Sequence, residues 1–197
     1  FFRDDYGNNR FEYPFFSFTP EVDQYQSVAL RGGHNDLCSP FVKDEWMRRL
    51  FKEMGRTQVT GRFVNLYING VYRYYYNSIA REDEEFYQEW YGSDNAFDVM
   101  TQSGPRDGDW TEWNNLINYA NGNDLSNTDN YNYFAGKLDI GTFIDYIILQ
   151  IHSGNFDWPG NNWTAHRERT DTGQFRFSIW DADGIAESWI FGNNCEY

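Results

Sequence analysis

The spacing of apolar positions divides the chain into elements. Helical spacing runs over residues 44–54, where Trp46, Met47, Leu50, Phe51 and Met54 fall on one face and Gly55 supplies a stop. From residue 58 to 76 the period becomes that of strands, because the runs 63–68 and 71–76 flank Asn69-Gly70, the strongest two-residue hairpin signal. Residues 27–31 read as a short strand closing on Gly32-Gly33. An acidic helix over 82–91, a loop through Asp107-Gly108-Asp109, and helices near 111–120 and 131–138 follow. The stretch 139–152 reads as the central helix of the second half, N-capped by Asp139 and apolar at Phe143, Ile144, Ile147, Ile148 and Ile151. Two strands over 163–168 and 174–180, joined by Thr170-Asp171-Thr172-Gly173, close the pattern. Residues 1–25 are irregular but rich in Phe and Tyr, which predicts an arm laid over the domain rather than a free linker.

At 197 residues the chain predicts one domain, and its 20% aromatic content predicts a dense core. The net charge of −14 argues against general nucleic-acid binding, since phosphate contacts need clustered Lys and Arg. It fits a cationic or neutral substrate, or simply the solubility charge of a secreted protein. Cys38 and Cys195 are too few for a disulfide scaffold and lack metal-ligand spacing, leaving a single long-range disulfide or two thiols. No apolar run approaches the ~20 residues of a membrane span. The chain opens without Met and stops soon after its last motif, so it reads as a segment of a longer polypeptide, incomplete at both ends.

Two motifs carry chemistry. Asp157 is followed five positions on by Asn162, and a strand then ends in Asp181-Ala182-Asp183-Gly184. An Asp that orients a hydroxyl nucleophile, with an Asn and a second Asp that hold metal, is the arrangement of phosphoryl-transfer sites. The loop and the second motif flank one hairpin, which brings them close in space. Taken alone, Asp157 reads as well as a turn residue. A calcium loop at Asp181 fails on its downstream spacing. His34, His152 and His166 lack zinc spacing and default to structural or surface roles. The run Glu82-Asp83-Glu84-Glu85 reads as a solvated first helical turn. The Tyr and Trp content would mark a sugar-binding or surface-assembly module if those rings lay exposed in a row.

Taken with Leu30-Arg31-Gly32-Gly33-His34-Asn35-Asp36, the hairpin from Gly61-Arg62 to Val71-Tyr72, Asp83-Glu84-Glu85-Phe86 and Phe143-Ile144-Asp145-Tyr146, these motifs make the chain resemble the spore-coat protein H (CotH) kinase family over nearly its whole length. The resemblance implies an α+β, atypical protein-kinase-like two-lobed fold. It would comprise an arm at 1–25, a β-rich N-lobe-like part at 26–92 and a helical C-lobe-like part at 93–197. It implies ATP as phosphoryl donor, Mg²⁺ or Mn²⁺, and Ser or Thr of an extracytoplasmic, secreted or spore-surface protein as acceptor. By resemblance Asp157 is the catalytic-loop Asp, Asn162 and Asp181 are metal ligands with Asp183 assisting, and Arg31 or Lys43 is the cation near the nucleotide phosphates. The chain departs from the family where Gly is usual, at Tyr74, and where Glu is usual, at Ala80. Ala80 feeds the alternative of an inactive pseudokinase serving as a structural or interaction module.

Overall fold

The computed structural model describes residue 5, residues 7–33 and residues 41–186. His34, Cys38 and Cys195 lie outside them. Among the described residues the strands form an antiparallel ribbon of β1 (Phe11–Glu12) and β2 (Gln24–Tyr25), a three-stranded sheet and a four-stranded sheet. The three-stranded sheet has the order β3-β5-β4, from β3 (Val28–Arg31), β4 (Gly61–Ile68) and β5 (Val71–Ala80). Asn69 and Gly70 take φ of 51° and 77°, so the β4–β5 connection is the two-residue turn that Asn-Gly favours.

The four-stranded sheet has the order β7-β6-β8-β9, all antiparallel: β6 (Phe97–Thr101), β7 (Gly104–Asp107), β8 (Trp163–Glu168) and β9 (Arg176–Ile179). Helices α1 (Lys43–Glu53), α2 (Glu84–Tyr91), α3 (Thr111–Gly122), α4 (Thr128–Ala135) and α5 (Ile140–His152) complete an α+β protein. Each half of the chain thus carries its own sheet. Asp139 caps α5 by accepting from the Thr142 N–H at 3.0 Å, and Asp83 caps α2 by accepting from the Phe86 N–H at 3.2 Å.

One core cluster joins the arm residues Phe16, Val22 and Tyr25 to Ile79 of β5, Phe86 and Tyr87 of α2, and Phe97 of β6. A second joins Met47 and Phe51 of α1 to Tyr146 and Leu149 of α5 and to Ile179, Ala182 and Ile185. Helix α1 is therefore the element that packs the first half of the chain onto the end of β9. Its packing differs from the expected face: Met47 and Phe51 are buried, but Trp46 and Met54 are exposed, while Lys43, Asp44, Glu45 and Arg48 are buried. Asp44, Glu45 and Arg48 tolerate burial because they pair along the helix, Arg48 with Asp44 at 3.2 Å and Glu45 at 3.0 Å, and Arg49 with Glu45 at 2.6 Å.

Other expectations need correction. Strands β6 and β7 occupy a stretch that read as loop, because a buried Asp98, paired with Arg167 at 3.0 Å and Arg169 at 2.7 Å, interrupts the apolar signal of β6. Helix α4 starts and ends earlier than expected, capped by the Asn127 side chain. The helix near 82–91 begins at Glu84 instead, and Glu82 is fully buried rather than solvated. On α5, Ile144, Ile148 and Ile151 are exposed, since the fold buries the stripe of Thr142, Tyr146, Leu149 and Gln150 and half-covers Phe143 and Ile147. His166 is buried and stacked on Tyr87 with ring centroids 3.8 Å apart, donating to or accepting from the Tyr91 hydroxyl at 2.9 Å. Burial holds its pKa well below 6.5, so it is a neutral structural residue.

Candidate active site

The site forms where β9 ends. Gln58, in the connection between α1 and β4, clasps the last strand residue from both sides: its amide nitrogen donates to the Ile179 carbonyl at 3.0 Å, and its amide oxygen accepts from the Ile179 N–H at 2.7 Å. The chain then turns at Asp181, whose φ of 54° lies in the left-handed region. After the turn the Ala182 N–H donates to Asp44 at 2.9 Å, which ties the motif to α1.

The loop after α5 docks on the same turn. The Phe156 N–H donates to the Gly184 carbonyl at 3.3 Å, and the Ala186 N–H to the Ser153 carbonyl at 3.0 Å. Gly184 lets the Phe156 ring lie close, since a Cβ there would sit 2.6 Å from it and the ring would have to shift. Asn162, also left-handed at φ 61° and buried, donates its amide nitrogen to Asp157 at 3.3 Å and to the backbone carbonyl of Asp181 at 3.1 Å. One amide therefore bridges the two motifs. Both bonds use the amide nitrogen. Backbone strain of this kind persists where surrounding contacts over-determine it, and functional sites are where it collects.

Arg31, at the end of β3, reaches into the same place. It donates to Asp44 at 2.9 Å and forms an ion pair with the Asp181 carboxylate, and its guanidinium lies 4.7 Å from the centroid of Trp180. Burial opposes its charge, but Asp44 and Asp181 hold its pKa above the ordinary value. Asp44 is likewise disfavoured as an anion by burial, yet Arg48 and Arg31 draw its pKa below the ordinary 3.8. Arg48 is almost wholly buried and donates to Asn77 of β5 at 2.8 Å as well as to the two acids.

A pocket of about 180 Å³ opens over these groups, walled by Arg31, Asp44, Arg48, Asn77, Asp181 and Asp183 among others. It adjoins an aromatic cavity of about 430 Å³ that shares Gly32 and Phe41 and is otherwise built from Gly33 and tyrosines 72, 74, 75 and 76 of β5. Tyr67, Tyr72, Tyr74 and Tyr75 are exposed along this hairpin, so the row of rings that a binding surface would need is present.

Of the residues singled out in the sequence, Asp157, Asn162 and Asp181 come together through the Asn162 amide, and Asp181, Asp183 and Arg31 share a pocket wall. Lys43 is buried at the start of α1 and is not part of that wall. Ala80 lies in the apolar cluster of the arm, β5 and α2, away from the pocket. Sequence reasoning missed Asp44, Arg48, Gln58, Asn77 and Glu82. The polar positions 44, 45 and 48, which recur at helical spacing beside the apolar stripe of α1, were the one signal for a buried polar face.

Among the described residues no three His, Cys, Asp or Glu side chains group closely enough for an all-protein metal cage. Magnesium does not need one, since it takes one or two carboxylates and completes its shell with phosphate and water. The Asn162 amide oxygen and the Asp181 carboxylate are hard oxygen donors of the kind it accepts.

The molecule is thus an α+β protein with a polar cleft walled by the strand-end Asp181, Asp183 and a half-buried Arg31, and the Asn162 amide ties the backbone of Asp181 to the loop Asp157 beside it. A family model described as CotH kinase protein matches residues 2–194, and the chain belongs to the CotH kinase family. No curated protein matches it.

Proposed function

We propose that the chain is an atypical, two-lobed protein kinase that transfers the γ-phosphate of ATP to Ser or Thr of an extracytoplasmic or coat-type protein. The observation that carries this reading is the Asn162 amide held between Asp157 at 3.3 Å and the Asp181 carbonyl at 3.1 Å, beside the arginine-walled pocket. Asp157 accepts a hydrogen bond from the incoming hydroxyl and takes its proton as the oxygen attacks the γ-phosphorus and the bond to ADP breaks. Asn162 and Asp181 would hold Mg²⁺ or Mn²⁺, with Asp183 assisting. When bound, that ion offsets the charge that develops on the transferred group. Arg31 supports the phosphates from the pocket wall. Its ion pairs with Asp44 and Asp181 keep it extended, so little ordering remains when the nucleotide arrives. The tyrosine-lined cavity next door offers flat apolar surface for the base.

Transfer from γ-labelled ATP to a Ser-rich acceptor in Mg²⁺ or Mn²⁺ tests the reading. Asp181→Ala should lower transfer by about a hundredfold or more, with thermal unfolding little changed, because this carboxylate is partly exposed. A wild-type chain that neither binds ATP nor transfers phosphate overturns it. That result would favour an inactive surface-binding module, the second reading, which the exposed tyrosine row of β4 and β5 supports.

A further inference from the structure

The distal half of the β4–β5 hairpin is uncovered. Tyr67 and Ile68 at the end of β4, and Val71, Tyr72, Tyr74 and Tyr75 at the start of β5, are 43–74% exposed. Successive strand residues point to opposite faces, so the unbroken exposed run 71–75 leaves neither face of the hairpin packed on the body of the protein.

The edge of β4 is open as well. It is the end strand of its sheet and, among the described residues, pairs only with β5. Its first residue is engaged, since the Gly61 N–H donates to Glu45 at 2.9 Å and the Gly61 carbonyl accepts from Arg49 at 3.1 Å. Beyond Gly61 the edge runs regularly. The register passes from Asn65↔Tyr75 to Tyr67↔Tyr72, so the extra residue of the bulge lies on β5, where Tyr74 takes φ of 75°, and not on β4. Edge strands are normally blunted by charge, Pro or a bulge of their own, and residues 63–68 contain no charged residue and no Pro.

Charge and symmetry point to the occupant. The chain carries −14, yet residues 63–76 hold a single charged side chain, Arg73, so two copies that approach by their hairpins bring no acidic group into the contact. An antiparallel edge is complementary to itself: two copies of one strand pair about a two-fold axis, and the assembly closes at two.

We propose that the chain forms a homodimer through this hairpin, with β4 of one copy pairing antiparallel with β4 of the other and Tyr67 and Ile68 inside the contact. At about 150–250 Å² for a large side chain, the exposed share of the six apolar and aromatic residues comes to about 600 Å² per copy. That is below the about 800 Å² per partner of a standard stable interface, so the dimer is a weak one that depends on concentration. The aromatic cavity assigned to the base takes no residue of β4. The dimer therefore stands or falls apart from the kinase reading.

Sedimentation velocity of the chain from about 1 to about 300 µM tests the proposal. The mass should rise from 23.4 kDa toward twice that value. Raising salt from about 50 to about 300 mM should strengthen the dimer, because it screens the net repulsion between copies and leaves the apolar contact intact. Tyr67→Lys and Ile68→Lys should each weaken it about tenfold or more, since the two-fold axis introduces every substitution twice. Hydrogen exchange on the unaltered chain supplies a readout that needs no variant: amides within 63–68 should gain protection at the concentrations where the mass rises. A chain that stays monomeric, leaving the hairpin to another protein or to a glycan, overturns the proposal. So does growth beyond two copies, a dimer indifferent to both lysine variants, or a dimer whose amides over 63–68 exchange as in the monomer.

Discussion

Replacing Glu82 by Gln should remove much of the pH dependence of this protein's stability. Glu82 is fully buried, its Oε1 accepts from the Gln58 amide at 3.2 Å, and its Oε2 has no hydrogen-bond partner among the described residues. Burial pushes the carboxyl from 4.5 up to about 7, against the pull of Arg106 and Arg48. Unfolded, the group ionises near 4.5; folded, it keeps its proton to about 7. Between those values the folded state binds the extra proton, so stability is full below about 4.5 and is lost as pH rises through about 7. At about 1.4 kcal/mol per pH unit the whole loss is about 3 kcal/mol, of which about 2 kcal/mol falls between pH 5.5 and 8. Gln imitates the neutral acid in shape and still accepts from Gln58. Urea unfolding from about pH 5.5 to 8 should therefore show wild type weakening by about 2 kcal/mol more than Glu82→Gln, with the variant the more stable at pH 8. A residual slope below pH 6 belongs to Asp83, whose carboxyl burial raises to about 6. Parallel pH profiles for the two proteins would refute the reasoning.

Two further substitutions test features of β5. Ala80→Glu would restore the family's usual acid, but it places a carboxylate in an apolar cluster at a position 2% exposed; it should cost about 3–5 kcal/mol and leave ATP affinity no higher, as melting curves and nucleotide titration will show. Tyr74 has φ 75° and is 74% exposed, so Tyr74→Gly should relieve about 1 kcal/mol of backbone strain and raise the melting temperature by about 2–4 °C. Equal or lower melting would mean that its ring contact with Tyr72, at 6.1 Å between centroids, outweighs the strain.

What the sequence made legible is what local chemistry decides. Asn69-Gly70 sets its own turn, Asp139 caps the helix that starts beside it, and Asp157, Asn162 and Asp181 flank a single hairpin whose closure brings them together. What it hid depends on distant partners. Asp98 sits inside β6 only because Arg167 and Arg169 reach it from the end of β8 and the loop beyond. Gln58 reads as an ordinary polar residue until Ile179, far along the chain, takes both ends of its amide. The isoleucines of α5 show the converse: a wide apolar arc on a helix states that a face prefers cover, and not how much of it the fold covers.

Ala80 and Glu82 show how far a position can differ from the charge it is assumed to carry. The register Val28↔Ala80 fixes Ala80 in the β3–β5 ladder, and it packs in the apolar cluster, where its methyl group suits its neighbours. Just past the strand end the chain leaves the sheet, and Glu82 enters the fully buried space sensed by Arg106, Arg48, Asp44 and Arg31, before Asp83 caps α2. An acid is thus present beside the site, displaced from the position at which a comparison by residue number seeks it. Its effect there differs from that of an exposed pairing carboxylate, because burial keeps it protonated up to about pH 7 and leaves Arg31 and Arg48 paired with Asp44, Glu45 and Asp181. The loss of Glu at position 80 is therefore weak grounds for calling the site dead.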